Sequence, residues 1–123
     1  MATVLIVDDS KTERELMSRA VTFAGHTAVF AEDGSEAIEK AMALQPSLIL
    51  MDVVMPKVDG FNATRRLKGD PSTKHIPIVL VTTKGGESDK FWGKKQGADD
   101  HIGKPFQSAE LVAIIQRYSG RAA

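Results

Sequence analysis

An α/β fold, with one five-stranded parallel sheet covered by helices on both faces, is predicted by three features of this 123-residue chain. Short apolar runs alternate five times with helix-length amphipathic segments. The runs are continuously apolar and lack polar alternation, as in strands buried on both faces. Glycines and prolines sit between the segments as punctuation, and no internal sequence repeat occurs. Strands and helices alternating on this spacing argue for βαβ units with right-handed crossovers.

The first strand is Val4-Leu5-Ile6-Val7. Ser10-Lys11-Thr12-Glu13 then has the S-x-x-E spacing of a capping box and opens a helix expected to carry Leu16, Ala20 and Phe23 inward, with Gly25 stopping it. The second strand is Ala28-Val29-Phe30-Ala31. Residues 34–44 place Ala37, Ile38, Ala41, Met42 and Leu44 on one side of a helix that ends before Pro46. Leu48-Ile49-Leu50-Met51 is the third strand, and the helix over 60–69, led by Phe61, Ala63, Thr64 and Leu67, ends at Asp70-Pro71. The fourth strand runs from Ile76 to Thr82. Residues 86–96, with Phe91 and Trp92, form a fourth helical segment. A weaker fifth strand spans Asp100 to Gly103, and residues 107–118 close the pattern with Leu111, Ile114 and Ile115.

Composition narrows the function. Sixteen basic residues balance sixteen acidic ones, so the basic excess of a nucleic-acid binder is missing. With no cysteine there is no disulfide framework, zinc-thiolate site or thiol nucleophile. No apolar stretch approaches the ~20 residues of a membrane span, and no export signal precedes the first strand. The expectation is a single cytoplasmic domain over residues 1–123, with no membrane insertion and no nucleic-acid partner.

In parallel α/β sheets, ligands bind beyond the carboxyl ends of the strands, where the strand order reverses. Asp8-Asp9 ends the first strand, Asp52 the third and Thr82-Thr83 the fourth, while Lys104-Pro105 follows the fifth. Taken singly, each has an ordinary explanation: a capping acid, turn chemistry, a β-branched strand residue, a solvated lysine. Together, if the strand order is 2-1-3-4-5, they place three carboxylates, a hydroxyl and an ammonium on one rim. Crowded carboxylates need a cation, and an all-oxygen set suits a hard divalent ion such as Mg²⁺. That equipment fits in-line phosphoryl transfer onto a carboxylate.

On Val7-Asp8-Asp9-Ser10, Leu50-Met51-Asp52-Val53-Val54-Met55-Pro56, Asp59-Gly60, Val81-Thr82-Thr83 and Lys104-Pro105-Phe106, the chain resembles the receiver domain of two-component response regulators. The resemblance covers nearly the whole chain. It implies a flavodoxin-like (βα)5 three-layer sandwich of strand order 2-1-3-4-5 and a cis Lys104-Pro105 bond. It implies Asp52 as phosphoacceptor, Mg²⁺ held by Asp8, Asp9, Asp52 and the backbone carbonyl of Val54, Thr82 as the responsive hydroxyl, and Lys104 as counter-ion. Three residues before that lysine, where many receivers carry Tyr or Phe, stands His101. It reads either as a surface histidine or as a switch residue whose charge follows pH. His26 and His75 fall in turn regions and are expected at the surface.

The stretch Thr82-Thr83-Lys84, then Glu87 through Trp92-Gly93-Lys94-Lys95-Gln96-Gly97-Ala98-Asp99-Asp100, is similar to the small stand-alone regulators of type IV pilus (twitching) chemosensory systems. Trp92 reads as helix packing beside Phe91 or as an anchor on a partner surface. Lys90 and Lys94 lie one helical turn apart and would share a face near His101. Thr83, Lys90, Trp92, Lys94 and His101 therefore mark the expected switch face, between the fourth helical segment, the fifth strand and the last helix. The implied partners are a sensor histidine kinase as phosphodonor and an unidentified protein target. The chain is expected to be a monomer without an output domain, and a signalling protein rather than an enzyme. A phosphate sink or relay regulator for chemotaxis is the alternative within the family. Outside it stand a haloacid-dehalogenase-like phosphatase, which would want a second acid where Val54 lies, and a flavodoxin-like electron carrier, whose FMN phosphate Asp8-Asp9 would repel.

Overall fold

The computed structural model describes residues 2–53, 59–82, 94 and 96–119, with Thr82 described through its backbone. Five parallel strands, β1 (Thr3–Val7), β2 (Thr27–Ala31), β3 (Leu48–Met51), β4 (Ile78–Thr82) and β5 (Asp100–Gly103), form one sheet in the order β2-β1-β3-β4-β5. Four helices are described: α1 (Lys11–Phe23), α2 (Gly34–Leu44), α3 (Gly60–Gly69) and α4 (Ser108–Ser119). The last of these is the fifth helical segment expected from the sequence, and most of the segment 86–96 lies outside the described residues.

Alternating strand residues build two separate cores, which makes the fold a three-layer sandwich. Val4, Ile6, Leu48, Leu50, Val79 and Val81 pack under α1 and α4 with Met17, Val21, Leu111 and Ile115. Their neighbours Leu5, Val7, Ile49, Met51, Ile78 and Leu80 face the other way, against Ala37 and Ala41 of α2 and Ala63 and Leu67 of α3. Strands β1 and β3 are buried on both faces, hence their unbroken apolar sequences. Strand β2 departs from that expectation. It is an edge strand, with Thr27 and Phe30 exposed and only Ala31 fully buried.

Several elements differ from the sequence reading. Strand β4 starts at Ile78, two residues late, because the Ile76 N–H closes a turn onto Thr73 O and Pro77 has no N–H to give the ladder. In α1 the buried stripe is Met17, Ala20, Val21 and Ala24, while Leu16 and Phe23 are exposed, Phe23 by 82%. Both stripes have helical spacing and share Ala20. The one with smaller side chains faces the core because it lets α1 approach the sheet and α4 together. Likewise α2 buries Gly34, Ala37 and Ala41 and leaves Met42 and Leu44 exposed.

His26 is buried where a surface position was expected. The parallel pairing of Thr3 with Thr27 brings Ala2 over the turn before β2, and the Ala2 N–H donates to His26 Nδ1 at 3.0 Å. His75 is exposed, as expected.

Candidate functional site

Strand ends set the site. The Asp52 N–H donates to Val7 O at 2.9 Å and the Asp8 N–H to Ala31 O at 3.1 Å, so the ladder extends one residue past β3 and β1 and fixes both acids at the rim. Asp8 is 1% and Asp52 7% exposed, whereas Asp9 is exposed. One carboxylate oxygen from each of Asp8, Asp9 and Asp52 lies within 4.8 Å of the others, the metal-suited cluster found among the described residues.

Lys104 comes from beyond β5, next to the cis Lys104-Pro105 bond. Its Nζ donates to Asp8 Oδ2 at 2.7 Å and lies 3.7 Å from Asp52 Oδ1 and 3.8 Å from Glu13 Oε2. Asp8 holds its place through its other oxygen, which accepts the Ser10 N–H at 2.9 Å. Its backbone carbonyl accepts from the Arg14 guanidinium at 2.8 Å.

Electrostatics follow from burial. Loss of water pushes the Asp52 carboxyl up to about 6, with the charges of Asp8 and Asp9 adding to the rise. The Lys104 ammonium and a hydrogen bond from the Val53 backbone only partly offset it. For Lys104, burial works to lower the pKa. The hydrogen bond to Asp8 and the charges of Asp52, Asp8 and Glu13 outweigh that and hold it above the ordinary lysine value.

Sequence reasoning missed why the residues after Asp59 matter to the site. Asp59 caps α3 by accepting the Asn62 N–H at 2.8 Å. At Gly60, a Cβ would lie 2.1 Å from Asp52 O, and the Gly60 N–H donates to Val53 O at 2.9 Å. The helix start therefore seats directly on the backbone of Asp52, an approach only glycine permits. The Asp-Gly pair at 59–60 was the available signal, but it reads equally as a turn.

Of the other expected residues, Thr82 ends β4 in register with Gly103. Its side chain, together with Val54, Thr83, Lys90 and Trp92, lies outside the described residues. His101 is half-buried on β5, opposite Leu80, and lines a cleft of about 490 Å³ with Lys94, Asp99, Asp100, Arg117 and Tyr118.

Residues 4–116 match the response regulator receiver domain family. The chain belongs to that family. It is the receiver domain of a response regulator, a signalling component of phosphorelays, and membership sets aside the phosphatase and flavodoxin readings. The receiver is 44% identical over 115 residues to Protein PilH of Pseudomonas aeruginosa, covering 94% of this chain and 95% of that one. Among solved structures it superimposes on Vibrio cholerae chemotaxis protein CheY4 with a TM-score of 0.89 and 36% identity, covering 96% of this chain and 98% of that one. The receiver domain of the Pseudomonas aeruginosa sensor histidine kinase PA1611, described with a magnesium ion coordinated in its active site cleft, gives 0.88 at 28% identity, covering 97% and 98%. Among the described residues of this receiver, no helix is long and apolar enough to cross a membrane.

Proposed function

We propose that this receiver takes a phosphoryl group from a sensor histidine kinase onto Asp52. The observation that carries the reading is the Lys104 ammonium, 2.7 Å from Asp8 and 3.7 Å from Asp52, beside three clustered carboxylates. An Asp52 oxygen attacks the phosphorus of a phosphohistidine. A P–O bond forms as the P–N bond breaks and its electron pair returns to the imidazole nitrogen. Lys104, already close to Asp52, needs a small shift to donate to a phosphoryl oxygen, and the Thr82 hydroxyl supplies a second donor.

The all-oxygen cluster fits Mg²⁺, which Asp8, Asp9, Asp52 and the Val54 carbonyl would hold. When bound, the ion supplies positive charge against the carboxylates and phosphoryl oxygens. The magnesium in the PA1611 receiver supports this assignment. Phosphorylation shifts the population of the face bearing Thr83, Lys90, Trp92, Lys94 and His101 toward a second arrangement that a protein target reads. The resemblance of residues 82–100 to the twitching regulators, together with the identity to PilH over nearly its full length, supports a place in a type IV pilus chemosensory system.

The test is intact mass after incubation with acetyl phosphate, with and without Mg²⁺, on wild type and Asp52→Asn. One added phosphoryl group that requires both Mg²⁺ and Asp52 is expected. A wild-type protein that gains no phosphoryl group, and forms no beryllofluoride complex either, would refute the assignment.

A further inference from the structure

Next to the rim, between α1 and the segment after β5, lies a cleft of about 330 Å³ lined by Glu13, Leu16, Ala20, Lys104, Pro105 and Phe106. Glu13 has no part in the phosphoryl chemistry above, yet its Oε2 is 3.8 Å from Lys104 Nζ. It stands there because the capping box is half formed. Ser10 Oγ accepts the Glu13 N–H at 3.3 Å, but the Ser10 N–H, which the glutamate would take in return, is already donated to Asp8 Oδ1. The Glu13 side chain thus extends toward the cleft, about one-third exposed, while Lys104 beneath it is 9% exposed.

One ammonium is therefore shared by Asp8 and Asp52 from the rim and Glu13 from the cleft. In-line transfer sends the leaving group away from Asp52, toward the open side of the rim. Glu13 stands on the cleft side of the ammonium that Asp52 shares, 3.8 Å from Lys104 Nζ, and its charge distinguishes two donor chemistries. With a phosphoramidate, the P–N bond breaks, and the nitrogen, protonated beforehand and positively charged, leaves as a neutral amine or imidazole. With an acyl phosphate, a P–O bond breaks, and the oxygen keeps the electron pair and leaves as a carboxylate. The new bond in both cases is from Asp52 to phosphorus. A carboxylate near the site favours the less anionic transition state of the first over that of the second.

Resting on Asp52 as the acceptor, we infer that Glu13 is a donor-selectivity residue, favouring phosphodonors whose leaving nitrogen is protonated before transfer over acyl phosphates that release a carboxylate. It acts through the field at the cleft and through its share of Lys104, without touching the reacting atoms.

The experiment measures the rate of adduct formation at Asp52 with phosphoramidate and with acetyl phosphate, on the full chain with Mg²⁺ at low salt. Glu13→Gln is expected to lower the phosphoramidate-to-acetyl-phosphate rate ratio about five-fold. Glu13→Asp, which keeps the charge, should retain most of the ratio. Added salt should lower the ratio more steeply in wild type than in Glu13→Gln, where Asp8 and Asp9 still carry charge. A role limited to packing or capping would change both rates by one factor and leave the ratio alone. Adducts from both donors with an unchanged ratio in Glu13→Gln, or a wild-type ratio insensitive to salt, would overturn the inference alone. The salt titration needs no substitution, so an insensitive ratio overturns the inference even if Glu13→Gln misfolds, and Glu13→Asp against wild type then reads the contribution of this one side chain. No adduct on wild type from either donor would overturn the assignment of Asp52 and the inference with it.

Discussion

Asp52→Asn should make the metal-free receiver more stable, even though it removes the central residue of the site. The folded state raises the Asp52 carboxyl from 3.8 to about 6, chiefly by burial. A group whose folded pKa is raised binds more protons in the folded state, so its contribution to stability falls as pH rises through 3.8 to 6 and then stays constant. At about 1.4 kcal/mol per pKa unit, keeping Asp52 ionised above pH 7 costs on the order of 3 kcal/mol. An asparagine removes that cost. The gain is reduced because Lys104 loses a neighbour at 3.7 Å, though Asp8 at 2.7 Å and Glu13 remain. A net gain of about 1–3 kcal/mol near neutral pH is expected. Urea unfolding of both proteins in a chelator, followed from about pH 7.5 down to about pH 4.5, checks it. The difference should shrink below about 1 kcal/mol at the acid end, where the wild-type folded state is itself protonated. A variant no more stable than wild type near pH 7.5, or a gain that does not shrink with acid, would refute the burial account of Asp52.

Three further outcomes follow from the same geometry. In a double-mutant cycle of Asp8→Asn and Lys104→Met, read by denaturant unfolding without metal, the pair should couple by about 1–3 kcal/mol, with Lys104→Met alone clearly destabilising because it leaves buried carboxylates uncompensated. Gly60→Ala should cost about 3 kcal/mol or more and impair phosphorylation as well, since its methyl would meet the Asp52 carbonyl at 2.1 Å; a variant with wild-type midpoint and wild-type adduct formation would contradict that seating. Met17→Ala should cost about 2–4 kcal/mol and Phe23→Ala less than about 1 kcal/mol, and thermal or urea midpoints in the reverse order would show that the stripe of α1 has been misassigned.

What the sequence determined by itself is whatever depends on local pattern and on chemical type. Unbroken apolar runs mark β1 and β3, Ser10 and Gly25 bound α1, and Asp70 closes α3. Carboxylates, a threonine and a lysine at successive strand ends are legible as one site, because a parallel sheet delivers every strand end to the same edge. Choices between two equally periodic alternatives were made by tertiary structure. The helical spacing of α1 allows either Leu16 and Phe23 or Met17 and Val21 to face inward, and packing against the sheet and α4 together selected the second pair. His26 is buried only because β1 pairs with β2 from their first residues. Gly60 matters only because α3 starts against the Asp52 backbone. Glu13, in a local capping pattern, is drawn to Lys104, 91 positions further along the chain, because Asp8 has taken the Ser10 N–H first. Such outcomes depend on contacts between segments distant in the chain, and the pattern of any one segment does not contain them.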